Sequence, residues 1–353
     1  MKQVGLIAGA GGIVGRALME ELETRGDWET IGLSRRSVDT LPAGQQVRAD
    51  LMDKGSLAAV REQLKQVTHV FFTAYSQRPN PADEVAPNLE MLKNLVEVLE
   101  SAAPNLRHIQ LVHGSKWYGS HHGPYRTPAR EEQPRHPLAV FYYAQQDWLA
   151  GRQAGASWTW STVRPHGIWG FAIGSQLNMM QALAVYATVM KHMGLPLYYP
   201  GKPTAFDAVY QCTEASHLAR AMIWAATTPQ AANQPFNVTN GDFIRWRHAW
   251  PVLARWFNME AGEVRTFDVA QFMADKEPMW REICRKHGLK DYQIKDLTTW
   301  DAAISYMFNA EWDQMSALTK IQRAGWTEVV DTYEMIPRQL DRLARERVIP
   351  YPV

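Results

Sequence analysis

The chain has 353 residues, 46% of them hydrophobic and 21% charged, which supplies a substantial core and excludes collagen-like, linker-dominated and disordered classes. Lysine and arginine number 37 against 36 acidic residues, so composition gives no pull toward nucleic acid or an anionic membrane. Two cysteines, Cys212 and Cys284, cannot form a disulfide framework, and no uncharged run reaches the roughly 18 residues that span a bilayer; the expectation is a cytoplasmic globular protein with neither a nucleic-acid nor a membrane partner.

Residues 4–8 form a short apolar run, and residues 14–22 read as a helix with Leu18 and Leu22 one turn apart. Met1-Lys2 ahead of this stretch mimics a signal peptide, but its glycines are spaced for another purpose. A second strand is expected over 29–33, and a helix through Leu57, Val60 and Leu64. Then come a buried strand over 70–73 and a helical stripe at Leu89, Leu92, Val96 and Leu99. A strand at 109–112, a helix at 141–149 and a strand at 158–163 complete this half. Strands alternating with helices predict an α/β fold, a doubly wound parallel sheet of the Rossmann type. Beyond residue 170 the pattern turns mainly helical: 177–192, 214–226, 246–257 and 269–285, with one strand at 236–239 ending at Asn240-Gly241. The expected division is a cofactor domain over 1–170 and a substrate-binding cap over 171–353, some of whose segments return to the first domain.

Gly9, Gly12 and Gly15 follow the first strand and open the first helix. One glycine permits the tight turn, another admits a pyrophosphate to the backbone, and the third lets helix and strand pack closely. The helix N-terminus adds free N–H groups and a positive dipole end, with Ile13 and Val14 beside the phosphates. An NAD site usually carries an acid at the end of the second strand to hold the ribose hydroxyls. Ser34, Arg35 and Arg36 stand there instead. Guanidinium groups suit a 2′-phosphate, so NADPH/NADP+ is the expected cofactor. Asp50 and Leu51 are expected at the adenine edge, and Thr73, Ala74 and Tyr75 where the dinucleotide passes.

A short-chain dehydrogenase normally carries Tyr-x-x-x-Lys on a helix, one turn apart, so that the lysine lowers the tyrosine pKa. Only Tyr198 has a lysine at that spacing, Lys202, and Pro200-Gly201 would break the helix between them. On the helix that begins Phe141-Tyr142-Tyr143, the positions one turn on are Gln146 and Asp147. A lysine stands elsewhere, in Gly114-Ser115-Lys116-Trp117-Tyr118-Gly119 after the fifth strand, at the carboxyl end where α/β folds bind ligands. Tyr142 and Lys116 are therefore the candidate catalytic pair, brought together from different elements.

These residues carry a resemblance. The glycine turn, Leu33 to Arg36, Gly114 to Gly119, Phe141-Tyr142-Tyr143 with Asp147, Arg164-Pro165, Ile168 to Phe171, and Phe236 to Asp242 with Trp246 resemble the progesterone 5β-reductase/iridoid synthase family of atypical extended short-chain dehydrogenases. The resemblance implies NADPH-dependent reduction of a C=C bond conjugated to a carbonyl, with Lys116 and Tyr142 in the catalytic positions. Two places depart from the family pattern: Trp117 stands where it usually has histidine, and Val140 where asparagine is common. Conjugate reduction explains the missing triad. Hydride delivered to the β-carbon leaves an enolate, and what helps most is a donor aimed at the carbonyl oxygen. Tyr142 would be that donor.

Pro165 and Ile168 are the expected nicotinamide contacts, and Ser175 and Gln176 are expected along the cleft. Trp117, Tyr118, Asn178 and Tyr306 are the expected substrate contacts, in a cap rich in tryptophan and methionine that suits a small apolar α,β-unsaturated carbonyl. His113, His121 and His122 lack the companion ligands a metal site requires, so no metal is expected and an exposed loop is. A homodimer stays open. The competing readings are a nucleotide-sugar epimerase or carbonyl reductase of the extended type, and a non-catalytic NADPH-sensing protein.

Overall fold

The computed structural model describes residues 2–36, 41–42, 44–138, 140–175, 177–300, 303–304 and 306–352. The first apolar run becomes strand β1 (Gln3–Ala8), and the glycine turn joins it to helix α1 (Ile13–Glu23). Five further parallel strands follow in the amino-terminal half: β2 (Trp28–Ser34), β3 (Gln45–Arg48), β4 (His69–Phe72), β5 (His108–Val112) and β6 (Thr159–Pro165). A seventh, β7 (Gln234–Val238), joins β6 after a long excursion. The spatial order is β7-β6-β5-β4-β1-β2-β3, all parallel. The chain therefore steps outward from β1 in one direction, then returns to β4 and steps outward in the other. The crevice at the carboxyl ends of β1 and β4 is the switch point, where open α/β sheets bind ligands.

Helices cover both faces. Helices α2 (Lys54–Ala59), α3 (Val85–Ala102) and α4 (Phe141–Gln153) follow β3, β4 and β5. Leu57, Leu92, Leu95, Leu99 and Leu149 bury one apolar layer with Val70 and Ile109 of the sheet. On the other face α1 packs against α6 (Ala215–Thr227), with α5 (Met179–His192) lying between them in sequence. Leu18, Leu22, Leu218 and Met222 form that layer with Ile7 and Phe71. A third core fills the cap, where α5, α7 (Trp246–Trp256), α8 (Glu277–His287) and α9 (Thr332–Arg345) enclose Trp169, Tyr199, Trp246, Trp250 and Trp280. Helix α9 also ties the cap back to the sheet domain. Its Arg342 pairs with Glu20 of α1, and Arg338 with the buried Glu214 ahead of α6.

Two predicted helices differ in the structure. The stripe Leu57, Val60, Leu64 divides into α2 and a 3-10 turn (Arg61–Leu64), with Val60 at the break at φ −104 and ψ 7. Helix-restricted Val60 gives way, and the tighter turn still buries Leu64. The segment 269–285 is also two helices, Val269–Met273 and α8, because Pro278 in the first turn of α8 has no N–H to continue a preceding helix. Among the described residues no helix is long and apolar enough to cross a membrane.

Candidate active site

Gly9 turns the chain out of β1 at φ +90, and a methyl group there would stand 2.9 Å from the backbone nitrogen of Ala74 beyond β4. A methyl on Gly15 would lie 2.3 Å from the Gly9 carbonyl oxygen, so this glycine is what lets α1 sit against β1. Gly12 differs. It is the extended N-cap of α1, and a methyl there would meet only the Gly9 oxygen, at 3.4 Å. No side chain caps α1 and no acid stands in its first turn, so its N–H groups face the crevice without competition from a carboxylate. This cradle fits a pyrophosphate. Gly15→Ala is expected to cost about 1–3 kcal/mol by overpacking. Gly12→Ala is expected to keep the stability of the fold and to weaken dinucleotide binding about tenfold or more. Thermal unfolding and a binding titration separate the two outcomes.

Ser34, Arg35 and Arg36 close β2. The Ser34 hydroxyl donates to the Arg36 carbonyl at 2.6 Å, Arg48 Nε donates to the Arg35 carbonyl at 3.0 Å, and both arginines are exposed. Arginines and not an acid stand directly after β2, so the two guanidinium groups fit a 2′-phosphate. Asp50 Oδ1 accepts from the Met52 N–H at 2.9 Å, and the carbonyl of buried Leu51 accepts from Asn94 at 3.0 Å. Thr73 donates to the Ala8 carbonyl at 2.8 Å, which ties the two lips of the crevice together. Tyr75 stacks on Phe141 with centroids 5.3 Å apart and donates to buried Glu84 at 2.6 Å. Ile13 and Val14 are buried in the first turn of α1.

Tyr142 is the second residue of α4. Its ring stacks on His113 at 4.7 Å, and its hydroxyl lies 3.3 Å from where a methyl on Gly114 would stand, a point only 3.5 Å from the Pro165 carbonyl oxygen. The structure thus brings Gly114, Tyr142 and Pro165 to one spot at the carboxyl end of the sheet. Among the described residues the Tyr142 hydroxyl makes no hydrogen bond. Burial, and then the nearby Glu84 carboxylate, pushes its pKa above the ordinary tyrosine value, so it stays protonated at neutral pH. Lys116 projects from the 3-10 turn (Ser115–Tyr118) and is exposed, its charge felt by His121 and His122.

The other expected contacts are placed as follows. Trp117 and Tyr118 are buried; Tyr118 donates to Asn237 at 2.6 Å, and the Trp117 carbonyl accepts from Tyr143 at 2.6 Å. Asn178 is fully buried, caps α5 through Gln181 N–H at 3.1 Å and donates to the Gly170 carbonyl at 3.0 Å. Tyr306 bridges the Ser120 carbonyl at 3.0 Å and Gln314 at 2.6 Å. Ile168 lies half-buried opposite Thr213, and Ser175 is half-buried ahead of α5; Gln176 lies outside the described residues. One expectation is corrected: His113 is not in an exposed loop but is buried between the rings of Trp117 and Tyr142, because the turn folds back over the end of β5. Among the described residues no group of three or more histidine, cysteine or acidic side chains could hold a metal.

Two residues named in the sequence reading were given no role there. Arg164 lies inside strand β6, 1% exposed, and Gln146 accepts a hydrogen bond from it at 3.3 Å. The predicted strand stopped at 163, one residue short; the observed strand takes in Arg164, and an arginine within a strand covered on both faces must have partners.

Residues 36–350 match the model of the PRISE-like Rossmann-fold domain. The (S)-8-oxocitronellyl enol synthase of Nepeta racemosa is 32% identical over 99% of this chain and 94% of its own length. The 3-oxo-Delta(4,5)-steroid 5-beta-reductase of Arabidopsis thaliana is 33% identical over 85% of this chain and 81% of its own length. Among solved structures, the UDP-glucose 4-epimerase of Thermotoga maritima superposes with a TM-score of 0.68 over 97% of this chain and 99% of its own, at 13% identity, which is a likeness of fold. The chain belongs to the PRISE-like Rossmann-fold family, and it is an oxidoreductase of the extended short-chain dehydrogenase/reductase type.

Proposed function

We propose that the protein is an NADPH-dependent reductase of C=C bonds conjugated to a carbonyl, with Tyr142 as the donor to the carbonyl oxygen and Lys116 beside it. The observation that carries the reading is the unbonded Tyr142 hydroxyl over Gly114, on a helix with glutamine and no lysine one turn further on. A ketone reductase must pass a proton to oxygen and needs a tyrosine poised to lose it. Here burial and Glu84 hold the proton on. Such a hydroxyl suits hydrogen bonding to an oxygen that gains charge as an enolate. The relatives support the substrate class: one reduces a steroid whose oxo group and double bond are conjugated, and another makes an enol.

Gly9, Gly12, Gly15 and the N-terminus of α1 would hold the pyrophosphate, and Arg35 with Arg36 the 2′-phosphate. The chemistry that the dinucleotide supplies when bound is hydride donation to the β-carbon. Tyr142 orients the carbonyl and stabilises its developing charge while keeping its proton, and the enolate takes up the proton at its α-carbon from water. Lys116 supplies positive charge from the turn after β5, and Gly114 leaves room for the substrate oxygen where a larger side chain would meet the tyrosine.

The test follows NADPH and NADH oxidation against a cyclic enone, a branched enal, a steroid enone and their saturated counterparts, with products identified by mass and NMR. Saturated ketone formed with NADPH is the expected result. Allylic alcohol as product, turnover of a UDP-sugar, or tight NADPH binding without turnover would overturn it. Replacing Arg35 and Arg36 together by alanine is expected to raise KM for NADPH about 10–100-fold, roughly 1.4–2.8 kcal/mol in all, and to leave NADH nearly unchanged; the exposure of both side chains keeps the effect below the sum of two full charge-assisted hydrogen bonds. Equal losses with both cofactors would remove the arginines from 2′-phosphate recognition.

A further inference from the structure

We propose that Arg164 is a positioning residue that locks the Lys116 turn onto the Tyr142 helix. Its activity arm rests on the enone-reductase reading; its structural arm does not.

A guanidinium in the interior is costly unless its surroundings are built for it. Both terminal nitrogens of Arg164 have partners there, Nε alone having none among the described residues, and most of its contacts belong to two elements. On the side of the turn, its guanidinium carbon lies 3.7 Å from the Trp117 ring centroid, and Nη1 donates to the Tyr118 hydroxyl at 3.1 Å. On the side of the helix, Nη2 donates to Gln146 at 3.3 Å, one turn beyond Tyr142. Nη1 also reaches the Glu131 carbonyl at 3.3 Å. Neighbours hold the same arrangement. Tyr118 donates in turn to the Asn237 amide oxygen of β7, and Tyr143 donates to the Trp117 carbonyl. On the outer side Arg135 lies 5.3 Å from the Trp117 ring and pairs with Asp147 of α4.

The consequence is geometric. Lys116 precedes the two residues that Arg164 grips, and Gln146 shares a helical face with Tyr142. One buried cation therefore sets the distance between the turn that carries the lysine and the helix that carries the tyrosine. The planar fork is needed for this, since a single ammonium cannot stack on Trp117 and also reach Tyr118 and Gln146 in fixed directions. Tryptophan at position 117 offers the guanidinium a broad ring face to stack on.

Arg164→Lys keeps the buried charge and loses the fork. Gln146→Met, at a half-buried helix position, loses only the helix-side bond and serves if the first variant folds poorly. Two measurements are made on each: amide hydrogen exchange over residues 114–120 in the NADPH-free protein, and kcat and KM for NADPH. For Arg164→Lys we expect exchange over 114–120 to speed up about tenfold or more while β5 is unchanged. We also expect kcat to fall about 10²-fold with KM for NADPH within about threefold. Gln146→Met is expected to move both in the same direction by less. Wild-type exchange over 114–120 in the folded variants, or a loss shared equally between kcat and KM for NADPH, would overturn the proposal. A wrong substrate class would appear in the wild-type protein as absent enone turnover, and the exchange arm would still decide the role of Arg164.

Discussion

Tyr142→Phe is expected to lower kcat about 10²–10³-fold while the affinity for NADPH stays within about threefold. Removing one preorganised donor from a developing oxyanion costs roughly 3–4 kcal/mol, and in the proposed mechanism Tyr142 is that donor. Phenylalanine keeps the ring stacked on His113 at 4.7 Å and edge-on to Phe141 at 4.4 Å, so the substitution removes an oxygen without disturbing the packing. No other side chain depends on that oxygen among the described residues. Steady-state rates with an enone, beside an NADPH titration, check the split. Full activity in the variant would remove Tyr142 from the mechanism. The raised tyrosine pKa adds a second expectation: kcat should not decline on the alkaline side before the ordinary tyrosine value of 10 is reached.

The second large effect is on stability in mild acid. Burial holds several histidines neutral, among them His69 and His166, which fall to about 4, His108, which falls to about 3, and His113, which falls well below 6.5. His69 and His108 are direct neighbours across β4 and β5 and bond to the hydroxyls of Thr68, Thr159 and Ser161. Their folded-state pKa values lie below the unfolded value of 6.5, so unfolding takes up protons whenever the pH is below it. Stability is therefore complete above pH 6.5 and is lost as pH falls toward about 4. Each group contributes about 1.4 kcal/mol per pH unit in that window. Four such groups together approach 5 kcal/mol one unit below 6.5, comparable to the whole stability of many domains. Urea unfolding at pH 7.5 and 5.5 is expected to show a much lower midpoint at the acid pH. Equal midpoints would mean that these histidines are as solvated in the folded protein as in the unfolded one.

Much of the sheet domain was legible because central parallel strands are covered on both faces and read as unbroken apolar runs. Residues 4–8 are an example, and the glycine spacing between β1 and α1 marks the crevice. What escaped depends on meetings between distant residues. Nothing local says that Tyr118 reaches Asn237, or that Arg164 reaches both Trp117 and Gln146. Helix α9 was missed for another reason. Its buried stripe of Met335, Ile336, Leu340 and Leu343 contains Pro337, which disguises the helical period. His113 reads as a loop residue beside other histidines, and only the fold of the turn puts it under two aromatic rings.

The path of the chain after β6 bears on how such a protein can be re-engineered. The chain leaves the sheet, builds α5, and returns to lay α6 against α1 and β7 against β6 before completing the cap. The sheet domain and the helical cap are thus laced together, not strung like beads. A chimera that grafts residues 1–170 onto a foreign cap would forfeit an edge strand and the helix over one sheet face, and would expose Ile7 and Phe71. New substrate ranges are therefore reached by editing the turns and helices that line the crevice, while the lacing itself is inherited whole.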